Sequence, residues 1–339
     1  MLPKSRVLAV LALGLGCVLL GAGLILPHLV DEERPVPLDL AESRLTVTDP
    51  VATIGRAYLA TAGEGDPDVV TGPVSRNWAV TLGEPADGDE AAATVGVSTL
   101  RDDMAQSLGD QAGLLDAEIW TMRVDRRSGA VTGDVKVADT LGTPAGEATV
   151  DGQWVKFPQD TRQGEYPFFD TLLRRALPAS FDRAEELGGR EVYIFRQEMD
   201  AEPVLDGNPH HPRLTRTDTV PAVRDGDGRE TAPASVEVST LHRSGTREIT
   251  VEPTSGMIVS VREDLHDYYA AADGRETGLL LDLHGETPTD DRDALLDQAV
   301  AVGEDRPVRT WSLACVAIGA IVTVVAGIVA LRPQRRGRR

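Results

Sequence analysis

An α+β, mainly β domain, large and lying outside the cytoplasm between two transmembrane helices, is the fold class that this 339-residue sequence predicts. Three observations predict it. Two long uncharged apolar runs stand near the two ends, most segments between them alternate apolar and polar residues, and cysteine is absent from that interval.

The first run, Val7 to Leu26, has 20 uncharged residues and is ended by Pro27. As a helix it measures about 30 Å, the thickness of a bilayer's hydrocarbon core. The second, Trp311 to Leu331, has 21, opened by a tryptophan and followed by arginines. Bases flank both outer ends, so the positive-inside rule puts both termini in the cytoplasm and residues 28–310 outside. The expected organisation is a cytoplasmic N-terminus (1–6), a first span (7–26), two β-rich extracytoplasmic halves (27–150 and 151–310), a second span (311–331) and a basic tail (332–339). The first run is read as an uncleaved anchor, because it exceeds a usual signal-peptide core and no A-x-A site follows it. Cleavage would leave the exterior on the same side, held by the second span.

Cys17 and Cys315 are the two cysteines. Their depths in a bilayer would differ by roughly 9 Å on helical geometry, too far for a disulfide. Small residues recur every fourth position at Cys315, Gly319, Thr323 and Gly327. Gly319, Thr323 and Gly327 are therefore candidate helix-packing positions, serving either the pairing of the two spans or dimerisation.

Between the spans, Trp120–Asp125, Val192–Gln197, Ser235–Leu241 and Thr246–Glu252 read as strands. Helical pattern is limited to Met104–Ile119, Phe169–Leu177 and Arg292–Val302. Met122–Val131 and Ile249–Ile258 share a strand, an acid, a Ser-Gly turn and a returning strand. Either a β-module is duplicated or two unrelated hairpins use the same turn. Glu202–Pro233 is dense in Pro, Gly and Asp and reads as an excursion from the sheet.

Charge excludes one class of partner. Setting aside Lys4, Arg6 and the five arginines of the tail leaves 27 bases against all 54 acids, a net charge of −27. Such a surface repels phosphate backbones, so nucleic acid is not a partner. Of the 14 aromatic residues, eight lie between Trp154 and Phe195: Trp154, Phe157, Tyr166, Phe168, Phe169, Phe181, Tyr193 and Phe195. They form either a core or the wall of an apolar ligand site.

No catalytic, cofactor or metal site emerges. The acidic loops at Glu64 and Asp225 lack the twelfth-position glutamate of a calcium loop. His210 and His211, flanked by prolines, are expected to be exposed. There is no nucleophile elbow, P-loop or dinucleotide fingerprint.

The stretches Val155-Lys-Phe-Pro, Glu165-Tyr-Pro-Phe-Phe-Asp, Ala184 to Gln197 and Val251-Glu-Pro-Thr-Ser-Gly-Met-Ile-Val carry a resemblance. With the two spans, they make the chain similar to an actinobacterial membrane-protein family of unknown function known as porin PorA-like. The resemblance implies a cell-envelope protein and, through members linked to envelope lipoglycans such as lipomannan, a lipoglycan connection. It supplies no catalytic residues. The reading that follows is a non-enzymatic factor at the plasma membrane that binds, presents or scaffolds a lipid or lipoglycan intermediate. Its expected partners are the membrane, that ligand and envelope-biosynthesis proteins. A structural or interaction protein without ligand is the alternative. A porin or channel subunit comes last, because the acidic, aromatic-poor exterior does not suit a lipid-facing barrel.

Overall fold

The computed structural model describes residues 4–29, 35–41, 43–59, 67–139, 144–304 and 307–331; the basic tail and Glu64 lie outside them. The chain forms two compact units: residues 1–34 with 303–339, and Pro35–Val302. In order, the elements are α1 (Lys4–Leu29), β1 (Arg44–Gly55), β2 (Val69–Ala86), β3 (Glu90–Arg101), α2 (Asp102–Leu108), α3 (Asp110–Gly113), β4 (Leu114–Asp125), β5 (Val131–Ala138) and β6 (Gly146–Ala148). The second half adds β7 (Glu165–Asp170), β8 (Arg175–Leu187), β9 (Arg190–Pro203), β10 (Thr215–Val220), β11 (Val223–Arg224), β12 (Glu230–Ala232), β13 (Ser235–Glu252), β14 (Met257–Ala270), β15 (Glu276–Glu286), α4 (Thr289–Glu304) and α5 (Pro307–Leu331).

The Pro35–Val302 unit is mainly β. Its large sheet is antiparallel throughout, in the order β6-β5-β4-β3-β2-β1-β15-β14-β13-β9-β8-β7, with β10 pairing the free half of β13. Each strand of the path is hydrogen-bonded to its neighbour in sequence, apart from β6 and β7 at the two ends of the path and the excursion holding β10 to β12, and β15 returns to pair with β1. The sheet curls until its edges approach: Trp120 of β4 and Phe169 of β7 stand with rings 5.6 Å apart. Residues 149–155 cross that seam, where Gln153 N–H donates to the Pro167 carbonyl at 2.7 Å and Phe169 N–H to the Gln153 carbonyl at 2.8 Å.

Period-two alternation builds these strands. On β4, Glu118, Trp120, Met122 and Val124 are buried and Ala117, Ile119 and Thr121 exposed. That alternation corrects the helix expected over Met104–Ile119. Only two short helices form there, separated by Gly109 at φ +92°. The helix expected over Phe169–Leu177 is likewise a hairpin, reversed where the Asp170 carboxylate accepts the Leu173 N–H at 2.9 Å. Arg292–Val302 is helical, as the core of α4, which packs Leu295, Leu296 and Ala299 on Val192 and Val259. Part of the Glu202–Pro233 excursion is ordered as β10 and the β11–β12 ribbon.

The two Ser-Gly hairpins occupy equivalent places. Taking β1–β6 and then β7, β8, β9, β13, β14 and β15 as two runs of six, β4–β5 and β13–β14 are the fourth and fifth strands of each. Their turns match bond for bond. Asp125 accepts the Arg127 and Ser128 N–H groups and the Ser128 hydroxyl; Glu252 accepts those of Thr254 and Ser255. Both turns close on one segment, since Gln159 N–H donates to the Arg127 carbonyl at 3.2 Å and Phe157 N–H to the Gly256 carbonyl at 2.7 Å. The topology favours duplication over coincidence.

In the other unit, α1 and α5 pack through small residues. A Cβ on Gly319 would stand 2.8 Å from the Leu20 nitrogen and 2.9 Å from the Gly16 carbonyl. The Ser312 hydroxyl donates to the Gly23 carbonyl at 2.7 Å. Thr323 faces Gly16, whereas Gly327 has nothing within 4 Å of an added Cβ and so does not share this contact. Both cysteines are free. Among the described residues one helical stretch, Trp311–Ile328, is long and apolar enough to cross a membrane, and Leu11–Ile25 is a shorter apolar stretch.

Candidate functional site: a buried charge ladder beside an apolar cavity

The interior of the curled sheet holds a ladder of alternating charges. Arg76 of β2 bonds Glu263 of β14 at 2.8 Å, and Arg247 of β13 bonds the other Glu263 oxygen at 2.8 Å. Arg247 also reaches Asp170 of β7 at 2.9 Å; Arg243 grips Asp170 at 2.8 Å and Asp267 through two bonds of 2.7 Å. Gln197 closes the set, accepting from Arg247 at 2.8 Å and donating to the Phe168 carbonyl at 2.7 Å. Three arginines thus face three carboxylates, each side chain at most 7% exposed. Burial by itself would raise the Asp170 carboxyl, but Arg243, Arg247 and the Leu173 N–H hold it well below the usual carboxylate range. Burial works against Glu263 in the same way and is overcome by Arg76 and Arg247. Among the described residues, these six side chains fill the part of the sheet interior they occupy.

Beside the ladder lies an apolar cavity with about 1100 Å³ of atom-free space, part of it open to solvent. Leu45, Trp78, Val95, Trp154 and Phe169 line it, and Arg247 joins its wall. The eight aromatic residues singled out in the sequence divide here. Phe157, Phe169 and Phe195 are fully enclosed, Trp154 and Phe168 nearly so, and Tyr166, Phe181 and Tyr193 are half-buried. Phe157 stacks on Phe195 at 4.8 Å, and Trp154 meets Trp120 edge-on at 5.2 Å.

A second cluster sits where the seam closes. Arg174, in the β7–β8 turn at φ +49°, bonds Asp139 at 2.5 Å, lies 3.8 Å from Glu118 and covers the Trp120 ring. Burial, reinforced by Asp116, pushes the Glu118 carboxyl up to about 7 against the Trp120 N–H bond and Arg174. His211 also corrects its expectation: it is buried, not exposed, and burial with Arg213 and Arg174 nearby lowers it to about 4. His210 is exposed. Among the described residues no group of three or more His, Cys, Asp or Glu is arranged to hold a metal ion.

On β13 and β14 the outward side chains include Ser244, Thr246, Glu248, Arg262, Asp264 and His266, a polar face rather than a lipid-facing one. The described residues thus comprise a curled antiparallel sheet with a charge-filled interior and, in the other unit, one apolar helix long enough to cross a membrane. The model of the family described as Porin PorA matches residues 8–329, and this chain belongs to that family. It is 26% identical over 223 residues to a Porin PorA of Corynebacterium amycolatum, covering 59% of this chain and 55% of that protein. It is 24% identical over 240 residues to a Porin PorA of Corynebacterium resistens, covering 55% and 54%. The chain thus spans about half the length of the curated relatives it matches. These matches correct the expectation of a factor that binds, presents or scaffolds a lipid or lipoglycan intermediate: the family and both relatives are porins by name, which the sequence reading had placed last.

Proposed function

We propose that the protein is a channel-forming component of the cell envelope whose pore is assembled by several copies. The observation that carries this reading is the porin family match from residue 8 to 329, across both apolar helices and the whole sheet. The geometry supports a division of labour. The ladder blocks the sheet interior and the charged outer face of β13 and β14 suits water, so conduction belongs to the helices. In this reading Val7–Leu26 and Trp311–Leu331 both cross the plasma membrane, with both termini cytoplasmic and residues 28–310 outside. One helix pair encloses no pore, which makes assembly a requirement. An exterior this acidic concentrates cations at the mouth and repels anions.

Planar-bilayer recording of the purified full-length protein tests the reading. Discrete conductance steps whose reversal potential in a salt gradient reports cation preference are the expected result. A folded protein that leaves the bilayer silent, or steps that prefer anions, would count against it.

A further inference from the structure

The curled sheet has one place where strand pairing does not complete the ring, the seam between β5–β6 and β7. Backbone bonds of Gln153 hold part of it. Side chains hold the rest: the Ala176 N–H donates to the Asp151 carboxylate at 3.0 Å, and Arg174 reaches from the β7–β8 turn to Asp139 at the end of β5. The charges here do not balance. Arg174 bonds Asp139 at 2.5 Å and Arg213 bonds Asp116 at 3.2 Å, while Glu118 accepts the Trp120 indole N–H at 2.9 Å and meets Arg174 only at 3.8 Å, so that three carboxylates share two guanidiniums.

We propose that Glu118 is a proton-operated latch on this seam: protonated, it leaves two guanidiniums facing two carboxylates, and ionised, it adds a third buried carboxylate that competes with Asp139 for Arg174 and loosens the seam. The charged groups facing it are Asp116 on its own strand, Asp139 just after β5 and Arg174 from the β7–β8 turn. His211, from the loop ahead of β10, lies near the two arginines and stays neutral over the range concerned. A buried charge that must share its partner is relieved by admitting water or by moving its neighbours apart. Both responses act on the same elements, because Arg174 also covers Trp120, whose ring abuts Trp154 and Phe169 in the cavity wall. Loosening the latch opens a lateral route from solvent toward the cavity. The burial-driven rise of the Glu118 carboxyl to about 7 puts the transition in the physiological range.

Hydrogen exchange on the full chain between pH 5.5 and 8.5, corrected for intrinsic exchange, tests the latch at the amides of Phe169 and Ala176, with β13–β14 amides as the internal reference. Protection at the seam should fall about ten-fold or more through neutrality while the reference is unchanged. Glu118→Gln should keep the seam protected at pH 8.5. Asp116→Asn, which removes a neighbouring negative charge, should move the midpoint to lower pH, a shift that a purely structural role does not produce. Protection independent of pH in the native protein, the same loss in Glu118→Gln, or parallel loss in the reference strands would each overturn the proposal. Bilayer conductance is read separately, so failure of the latch and failure of the channel reading are distinguishable.

Discussion

Asp170 is the residue on which the sheet interior turns. It accepts two bonds from Arg243, one from Arg247 and one from the Leu173 N–H, so its loss would take one carboxylate partner from each of two buried guanidiniums and open the β7–β8 turn. Asp170→Asn should cost about 3–5 kcal/mol in urea unfolding. Because its folded pKa is depressed, the stability it provides is present above the unfolded carboxylate range and is lost as the pH falls toward the folded value. Glu118 has the opposite sign. Its folded pKa, about 7, lies above the ordinary 4.5, so stability is full below 4.5 and declines as the pH rises to 7. Glu118→Gln should therefore gain up to about 3 kcal/mol at pH 8 relative to the native protein, with no gain at pH 4, in the same unfolding experiment. None of these residues was picked out from sequence. A signal was present: Arg243 and Arg247 share the parity of Leu241, Ile249 and Val251 on β13, as Glu263 and Asp267 share that of Val261 and Leu265 on β14. Charge on the inward parity of a strand predicts either an interrupted strand or a buried ion pair. The partner residues, tens of positions away, emerge only from the fold.

At the scale of elements, alternation made the strands legible, and β9, β13, α4 and the second half of β4 lie where the pattern puts them. The failures were local. Phe169–Leu177 has apolar residues at helical spacing, yet the Asp170 turn wins because Leu173 is buried in the core. The repeated Ser-Gly turn was readable as a motif, and only the strand order shows that its copies are topologically equivalent. Gly256 stands at φ +73° with the Phe157 and Pro158 carbonyls where a Cβ would go, whereas Gly133 at φ +71° faces open space. Gly133→Ala should cost about 1 kcal/mol, the backbone term alone, and Gly256→Ala about 3 kcal/mol or more, because it adds a backbone clash; thermal unfolding separates them. On the helices, Gly319→Leu should widen a spin-label distance between α1 and α5, and Gly327→Leu should leave it unchanged, since only Gly319 meets the facing backbone.

For the molecule as a whole, the family resemblance and the mainly β class were legible, because long-range charge and periodicity survive without contacts. The function was not. Acidity and scarce aromatics argue against a lipid-facing barrel, and that argument was extended too far, from the sheet to the whole protein. A chain whose sheet interior is filled by buried charges can still belong to a porin family if, as proposed, its pore is made elsewhere, by helices from several copies. Potassium flux from vesicles loaded at about one copy each and at many copies each tests it most directly, with copy number counted by stepwise photobleaching of a label. The account predicts tight single-copy vesicles and leak only where several copies are present. Leak from vesicles holding one copy would contradict it.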